Sequence, residues 1–573
     1  MRAWKVCLIA SIAIFGCSRK AALELHRKTL TFSLPDDVKS LDPAVSYDSV
    51  AMDVIPLTVE SLYQYAYTKV PLELEPLLAD GMPSLSSDRK VVTVKIKKGV
   101  LWQDGDFFPG GKGRELVADD FLYAWKRLAL KELESPSTWI FDGKVEGWDA
   151  FRKGTVPSVS GFEAVDAHTL RVRLVKPYPQ FAHVLAMAYT APLPHEIFEK
   201  YGTFALNERI VGTGPYRFRE YVRASRIVLE RNPSFRGEAY PSSGDREMLA
   251  DAGKPLPFAD EVTFQIFKED QPRWLSFQKG FLDVSGIPKD NFSSVVDRGE
   301  LRAEPAAKGI QFLKMEQAST YFLFFNAQDS VLGKNAELRK ALSMAVDRDA
   351  FVERFRNGRG VRATSLVPRT VPGHVARAFP YDFDLEKARA ALARAGYPGG
   401  KGLAPLRLDL KGTATNFRQQ GEFFRDAWGK LGVVVEVVPN TMPAYLEKER
   451  NGSFQITYGV WDSDYPDAEN FLALLYSKNV SPGPNISHYR NPAFDKLYEK
   501  IALMTPSAER SKLIEQAEDL VYADLPMAPL FYPLAYSVGQ GWVGNFRPNI
   551  QIINHMKYFN VDLDKKAKLG AKL

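Results

Sequence analysis

The chain has 573 residues, of which 45% are hydrophobic, and carries a formal net charge of +6 at pH 7. Since a single hydrophobic core stops growing at about 250 to 300 residues, we expect more than one domain. The excess of positive charge is small for this length, and the sequence has no long Lys/Arg tract interleaved with aromatic residues, which argues against nucleic acid as a partner.

The N-terminus has the pattern of a secretory signal peptide. Arg2 and Lys5 precede an apolar run from Val6 to Phe15. This run is too short for a transmembrane anchor, because spanning a bilayer takes about 20 residues. The run leads into Cys17 in a stretch that resembles the lipobox of bacterial lipoproteins. The resemblance implies cleavage before Cys17 and lipidation of its thiol, and ordinary cleavage nearby is the alternative.

Strand and helix patterns alternate along the rest of the chain, which indicates a mixed α/β class. Period-2 alternation predicts strands at Lys90–Ile96, Thr169–Leu174, Glu261–Ile266 and Val433–Val438. Apolar residues three and four apart predict helices at 118–130, 336–355, 384–396 and 507–525. Asp384 and Ser507 stand at the N-cap positions of the last two helices.

Three polar stretches are predicted to lie at the surface. Residues 104–115 and 236–257 are rich in Gly, Pro and charge and read as surface insertions. Asp347, Arg348 and Asp349 are expected on the solvated face of an amphipathic helix.

The sequence offers little for catalysis. Cys7 and Cys17 are its only cysteines and both lie in the leader, so a disulfide, a thiol nucleophile and a Cys-ligated zinc site are excluded from the body. The seven histidines are scattered, and His195 has no second His one turn on. Neither a Gly-x-Ser-x-Gly elbow nor a phosphate-binding loop occurs. We therefore predict no enzyme activity, no metal and no cofactor.

The stretch "WDSDYPDAEN", residues 461–470, is the densest group of candidate functional side chains. Asp462 and Asp464 lie between the two aromatic residues Trp461 and Tyr465, and Asp467 follows them. Carboxylates in this setting could ligate a metal, act as acid and base on a glycosidic bond, or hold the cationic end of a ligand. The stretch alone leaves these alternatives open.

Ten segments, in order along the mature chain, resemble those of the extracellular solute-binding proteins of family 5, the oligopeptide- and dipeptide-binding proteins of ABC transporters. They are "SLDPA", "VESLYQY", "EPLLADGMPSLSSDRKVVTVKIKKGVLWQDG", "VADDFLYAWKRL", "TLRVRLVKPYPQF", "GTGPYRFREY" with "LERNPSF", "EVTFQIF", "FNAQ" followed by "LRKALSMAVDRDAFV", "ARAGYP" and "WDSDYPDAENFLALLYS". Each segment is weak by itself, and their shared order is what carries the resemblance.

The resemblance implies an α/β fold of the two-lobed, three-domain periplasmic-binding-protein clamp, type II, in the large peptide-binding cluster. A hinge between the lobes would let a ligand stabilise a closed state. The implied divisions are a signal peptide at 1–16, a lipid-anchored linker at 17–27, lobe I at 28–60, 190–271 and 528–573, domain II at 61–189 and domain III at 272–527.

The resemblance also assigns ligand-binding roles. In peptide-binding members, the Asp of a Trp-x-x-Asp pattern pairs with the α-ammonium group of the ligand in the interdomain cleft, which implies Asp464, with Trp461 and Tyr465 beside it. Asp462 and Asp467 are expected to be solvated or to cap a turn.

The partner of the ligand carboxylate is less clearly indicated. Some oligopeptide binders have an Arg three residues before the Trp, and here that position is Tyr458. Dipeptide-type members use a basic residue earlier in domain III, which implies Lys411 or Arg418. Tyr47, Asp48 and Ser49 correspond to a lobe I edge that pairs with the peptide backbone, although an ordinary polar turn before a helix explains them equally well.

The function implied is an extracytoplasmic lipoprotein, in the periplasm or at the cell surface, that binds peptides and delivers them to an ABC permease complex. A monomer that meets the membrane only through its lipid anchor is expected. One alternative is the same clamp with an oligosaccharide or metal-chelate cargo, and another is a secreted glycoside hydrolase or an interaction protein.

Overall fold

The computed structural model describes residues 27–69, 72–480, 483–547 and 554–571. The predicted lipidation site, Cys17, lies outside these residues. The strands, numbered in chain order, are β1 Thr29–Leu34, β2 Tyr63–Tyr65, β3 Leu74–Pro76, β4 Ser84–Leu85, β5 Val91–Lys95, β6 Phe162–Asp166, β7 Thr169–Arg173, β8 Tyr216–Val222, β9 Arg226–Arg231, β10 Glu238–Ala239, β11 Pro255–Leu256, β12 Glu261–Ile266, β13 Val284–Gly286, β14 Val296–Asp297, β15 Glu300–Leu301, β16 Gln311–Glu316, β17 Ser319–Phe325, β18 Gly360–Arg362, β19 Leu406–Leu410, β20 Val435–Pro439, β21 Ile456–Asp462, β22 Met527–Gly539, β23 Val543–Gly544 and β24 Asn560–Val561.

The α-helices are numbered in the same way. They are α1 Ser49–Val54, α2 Ala118–Arg127, α3 Trp148–Arg152, α4 Phe181–Val184, α5 His195–Tyr201, α6 Asp270–Gln278, α7 Phe292–Val295, α8 Ala303–Ala307, α9 Ala336–Met344, α10 Arg348–Arg356, α11 Leu385–Arg394, α12 Thr415–Gly429, α13 Met442–Asn451, α14 Ala468–Leu472, α15 Pro492–Ile501, α16 Ala508–Asp524 and α17 Leu563–Gly570. In the part of the chain that is described, each of these helices is too short or too polar to cross a bilayer.

The chain divides into two compact units. The first unit contains residues up to Lys176, Ala182–Leu313 and Ser537 onward, and the second contains Pro177–Phe181 and Lys314–Tyr536. Both units combine helices with strands, which confirms the predicted mixed α/β class.

Two four-stranded sheets form much of the first unit. One has the order β1-β12-β9-β8, in which β1 runs parallel to β12 and the other neighbours are antiparallel. The other has the order β4-β5-β7-β6 and is antiparallel throughout. Leu30, Phe32 and Leu34 of β1 point inward at every second position, as a strand with one buried face requires.

A buried ion pair fixes the segment that leads to Tyr47 in the first unit. The Arg127 guanidinium donates to both carboxylate oxygens of Asp42, at 3.1 and 2.7 Å. Asp42 also accepts the backbone N–H of Ala44, and Ser46 donates its hydroxyl to the carbonyl of Ser40. Because a buried charge is stable only when it is paired, this network holds the turn before α1 in one conformation.

The sheet of the second unit has the order β22-β17-β21-β19-β20, and β18 pairs with β22. Strand β21 lies between antiparallel β17 and parallel β19. Strand β20 is parallel to β19. Parallel strands end at the same edge of a sheet, so the residues that follow β19 and those at the end of β21 come together at one edge.

Aromatic side chains pack against this sheet to form the core of the second unit. Phe322 and Phe324 of β17, Phe424 and Trp428 of α12, and Phe531 of β22 are buried together. This core holds β21 and therefore fixes the starting point of the 461–470 stretch.

Residues 272–313 belong to the first unit, whereas the sequence predicted that they lie in domain III. Their packing explains the difference, since β13 pairs with residues Ser537–Gly539. In addition, Trp542 donates its indole N–H to Asp283 over 2.5 Å, and the Gln540 side chain donates to the carbonyl of Phe277 over 2.6 Å. The finer division into three domains stays a prediction.

The helix predictions are confirmed, except that one predicted helix is divided in two. Asp384 and Ser507 cap α11 and α16 as expected. The helix predicted at 336–355 is two helices, because Asp347 caps α10 and separates it from α9. The expectation of a solvated Arg348 is wrong, because its side chain is 1% exposed and donates to Asp382 over 2.7 Å.

The stretch 236–257 is also more than a surface insertion. It contains the short hairpin β10-β11, and Tyr240, which is buried, packs edge-on against Tyr67 and Tyr558. The aromatic ring therefore ties this segment to the core of the first unit.

Candidate functional site

The loop 463–467 joins β21 to the short helix α14 and is anchored at its far end by Asp467. Its carboxylate accepts the backbone N–H of Glu469 over 2.7 Å and so caps α14. Arg510 of α16 donates to the same oxygen over 2.6 Å, and both side chains are buried. The capping role predicted for Asp467 is confirmed, and the ion pair fixes where the loop ends.

A single buried amide connects Asp464 to Trp461. The Asn470 side-chain oxygen accepts the backbone N–H of Asp464 at 3.1 Å and the indole N–H of Trp461 at 3.0 Å. Its nitrogen donates to Oδ2 of Asp464 at 2.9 Å. Asp464 and Trp461 are themselves half-buried. The structure therefore brings together the two residues that the sequence pattern paired, and it does so through a third.

Tyr465 takes part in a buried polar cluster. The hydroxyls of Tyr465 and Tyr498 each donate to one carboxylate oxygen of Glu469. The hydroxyl oxygen of Tyr178 lies 3.3 Å from that of Tyr465. Burial raises the pKa of both the Tyr465 and Tyr498 hydroxyls well above their ordinary value, so they remain neutral donors at physiological pH. The predicted ligand residue Tyr465 thus also supports the loop from inside.

Asp462 lies at the surface end of β21. It is exposed, and its carboxylate accepts the Ser319 hydroxyl over 2.6 Å from the neighbouring strand β17. This agrees with the solvated role that the sequence predicted.

Lys411 follows β19 at the same sheet edge. Partial burial lowers the pKa of its ammonium, while the charges of Asp462 and Glu449 act in the opposite direction. Burial raises the pKa of Glu449, and its hydrogen bond from Tyr445 and the charge of Lys411 counteract this. Lys411 is therefore a partly desolvated cation close to Asp462 at the carboxyl end of β21.

Arg418, the second candidate for the carboxylate partner, has different surroundings. It lies in the first turns of α12, is exposed, and donates its Nε–H to the carbonyl of Thr413 over 3.2 Å. A guanidinium in water keeps most of its hydration, so it interacts with an anion more weakly than a desolvated cation does.

Tyr458 occupies the position at which some oligopeptide binders have an Arg. Its ring is buried in the core of the second unit against Phe424, and its hydroxyl donates to Gln420. Its side chain is thus used for packing and has no charge to offer an anion.

Tyr47, Asp48 and Ser49 belong to the first unit. Tyr47 is 41% exposed and stacks on Tyr189 with the ring centroids 5.2 Å apart. Asp48 caps α1 by accepting the backbone N–H of Ala51 over 3.0 Å, and Ser49 is exposed at the first position of that helix. The alternative of a polar turn before a helix describes their local geometry, and pairing with a peptide backbone stays a prediction.

Asp53, also on α1, has an unusual environment that its sequence pattern did not indicate. Burial raises its pKa from 3.8 to about 7, and the negative charge of Asp48 adds to the effect. Nothing in its sequence neighbourhood signals this, because the burial arises from how α1 packs.

Glu469 and Asn470 are two further site residues that were not predicted, although both lie within residues 461–470. The one available signal was Asp467, since an N-cap at this position predicts a helix whose first turn contains them. Among the described residues, no group of three or more His, Cys, Asp or Glu is placed to hold a metal ion.

Comparisons with known proteins agree on a single group. The sequence model described as "Bacterial extracellular solute-binding proteins, family 5 Middle" matches residues 73–483. The periplasmic oligopeptide-binding protein OppA of Salmonella typhimurium is 27% identical over 559 residues, which cover 94% of this chain and 93% of that protein. Heme-binding protein A of Haemophilus influenzae is 26% identical over 508 residues, covering 86% and 83% of the two chains.

A solved structure shares the fold. The periplasmic binding protein DppA of Helicobacter pylori, in complex with the peptide STSA, superposes with a TM-score of 0.75 at 23% identity. The match covers 94% of this chain and 99% of that one.

Proposed function

Because the chain belongs to the bacterial extracellular solute-binding proteins of family 5, as its sequence predicted, we propose that it binds peptides outside the cytoplasm and delivers them to an ABC importer. The predicted fold class, the periplasmic-binding-protein clamp, is confirmed by the likeness to DppA. The observation that supports a peptide cargo best is the Asp464 carboxylate, which Asn470 holds beside the half-buried Trp461.

In this proposal Asp464 pairs with the α-ammonium group of the peptide. A charge-assisted hydrogen bond between ammonium and carboxylate is stronger than a neutral one, and it strengthens further as water is excluded. A ligand without the ammonium would lack this charge-assisted hydrogen bond, which is how the site would select against it.

Lys411 is proposed to attract the peptide carboxylate. It is half-buried, and the loss of hydration that lowers its pKa also increases its attraction for an anion. Arg418 is the weaker candidate because it is exposed. Backbone hydrogen bonds to the peptide would add affinity with little dependence on sequence, and Tyr47, Asp48 and Ser49 are the proposed contributors.

Binding without chemistry is part of the proposal. Members of the family are binding proteins, and we expect a peptide to be returned unchanged. Peptide or glycoside turnover that tracks the protein through repeated purification would contradict this expectation.

A different cargo is the second candidate. Heme-binding protein A is 26% identical to this chain, which is close to the 27% identity of OppA. A heme or other chelate offers no α-ammonium group, so such a cargo would make no use of the charge of Asp464. An oligosaccharide also has no α-ammonium group, and its binding would depend on aromatic surfaces instead.

The decisive experiment identifies the cargo directly. Native mass spectrometry of the protein purified without denaturation should reveal bound peptides. Calorimetric titration of the ligand-free protein should then show tight binding of free peptides and weak binding of their N-acetylated forms. A copurified tetrapyrrole or sugar, together with equal affinity for both peptide forms, would replace the peptide with the second candidate.

We further propose that Cys17 carries a lipid that attaches the otherwise water-soluble monomer to a membrane, from which it serves the permease. Cys17→Ser should leave the folded body unchanged and release the protein into the soluble fraction. A Cys17→Ser protein that still sediments with membranes after a high-salt wash would contradict lipidation.

A further inference from the structure

Asn470 is placed to control the carboxylate of Asp464. Its side chain is 3% exposed, and both ends of its amide make hydrogen bonds to the loop. The nitrogen donates to Oδ2 of Asp464, and the oxygen accepts the Asp464 backbone N–H and the Trp461 indole N–H. An amide is suited to this position because it is donor and acceptor at once, whereas a carboxylate would repel Asp464 and a hydroxyl would be too short to bridge the same groups.

We propose that Asn470 is the positioning residue for ammonium recognition: it fixes the rotamer of Asp464 and couples it to Trp461, and so sets the selectivity for peptides with a free N-terminus. This inference rests on the proposed function and identifies which residue makes Asp464 selective.

Three sets of contacts hold the loop around Asp464 at different points. Asp467 and Arg510 fix the C-terminal end of the loop through a buried ion pair. Glu469 holds the Tyr465 hydroxyl. Asn470 donates to Oδ2 and so directs the Asp464 carboxylate. Its loss would let the carboxylate adopt other rotamers, and binding would then have to order the side chain again.

The test compares Asn470→Ala with a matched buried asparagine. Asn326 lies in the same unit, is 2% exposed, and donates to the backbone carbonyls of Gly452 and Phe454 at 2.8 and 2.7 Å. Asn326→Ala should lower the melting temperature but leave the ratio of affinities for free and N-acetylated peptides as in the unchanged protein. Asn470→Ala should weaken binding of the free peptide about 10- to 100-fold, the size expected for losing hydrogen bonds to a charged group, with little effect on the N-acetylated peptide.

A spectroscopic measurement reports the geometry without any ligand. In protein labelled with ¹⁵N on tryptophan, the indole N–H resonance of Trp461, assigned through its loss in Trp461→Phe, should shift in Asn470→Ala and stay in place in Asn326→Ala. Should Asn470→Ala fail to fold, Asn470→Ser, which keeps a polar group but is too short to bridge Asp464 and Trp461, is measured in the same way and is expected to give the same two results.

The outcomes separate the inference from the function on which it rests. An affinity ratio retained in a folded Asn470 variant overturns the positioning role alone, because ammonium recognition would then survive without the amide. Equal affinity of the unchanged protein for both peptide forms overturns the proposed ammonium recognition and, with it, the positioning role.

Discussion

Arg510 donates a hydrogen bond to Asp467 over 2.6 Å, and the exposed fractions of the two side chains are 2% and 8%. The pair joins the long helix α16 to the loop that carries Asp464. Its ions are removed from water, so each depends on the other for stability.

Removing one member of this pair should therefore destabilise the protein strongly. Asp467→Ala leaves the Arg510 charge buried without its partner and also deletes the cap of α14, so we expect the free energy of unfolding to fall by about 3 to 5 kcal/mol. Urea denaturation followed by circular dichroism measures it. Asp462→Ala is the matched control: its carboxylate is exposed, and its loss should cost about 1 kcal/mol or less. Equal losses in the two variants would show that the buried pair contributes no more than a surface carboxylate.

The charge of Asp464 should matter for binding rather than for folding. Asp464→Asn keeps the shape and deletes the charge, and we expect it to cost about 2 to 5 kcal/mol of binding free energy for a free peptide. Acetylating the peptide N-terminus removes the same interaction from the other side, so the two losses should not add. Calorimetric titration of both peptide forms into both proteins gives this cycle, and Asp462→Asn serves as the control. Additive losses would mean that Asp464 and the ammonium do not contact each other.

Substituting Lys411 and substituting Arg418 should have different effects on binding of the ligand carboxylate. Lys411→Met should weaken binding of a peptide with a free C-terminus about tenfold or more, because the peptide carboxylate loses the ammonium that pairs with it. Binding of the C-terminal amide should stay nearly unchanged, since the amide carries no charge. Arg418→Met should alter neither affinity, since its guanidinium is exposed. The reverse pattern in the same titrations would transfer the role to Arg418.

Asp53 should make the stability of the protein depend on pH. Its pKa is about 7 in the folded state against 3.8 ordinarily, so the folded protein holds this proton more firmly than the unfolded chain does. Stability from this group is therefore fully present below about pH 4 and is lost progressively as the pH rises from there to about 7.

Asp53→Asn imitates the protonated form. It should match the unchanged protein below about pH 4 and exceed its free energy of unfolding at pH 8 by about 1 to 3 kcal/mol, a range reduced because the side chain is only half-buried. Urea denaturation at both pH values measures the difference. A variant that is less stable than the unchanged protein at pH 8 would show that Asp53 is stabilised as an anion.

Local features of the fold were predictable from the sequence because local physics determines them. The alternation at Glu261–Ile266 gives β12 with the bounds predicted, and Asp384 and Ser507 cap helices because their side chains reach N–H groups three residues on. The parallel pairing of β1 with β12 joins segments more than 200 residues apart, and no pattern inside either strand encodes its partner.

In the candidate site, too, features set by local sequence were predictable and contacts with distant residues were not. The three aspartates of the 461–470 stretch look alike in sequence, and their environments differ because of residues that come from elsewhere. Arg510 makes Asp467 structural, and Ser319 holds Asp462 at the surface. The role of Asn470 depends on the path that the loop takes, which the sequence pattern of the stretch does not describe.

The short helix α14 has a consequence for redesign of this protein. Asp467, Glu469 and Asn470, at and around its first turn, hold a distant arginine, two tyrosines and the Asp464 loop, respectively. A chimaera that exchanges single positions of the loop would leave some of these contacts unmatched. Residues 461–470 therefore have to be transplanted as one cassette, into a recipient that already supplies an arginine and a tyrosine where Arg510 and Tyr498 stand.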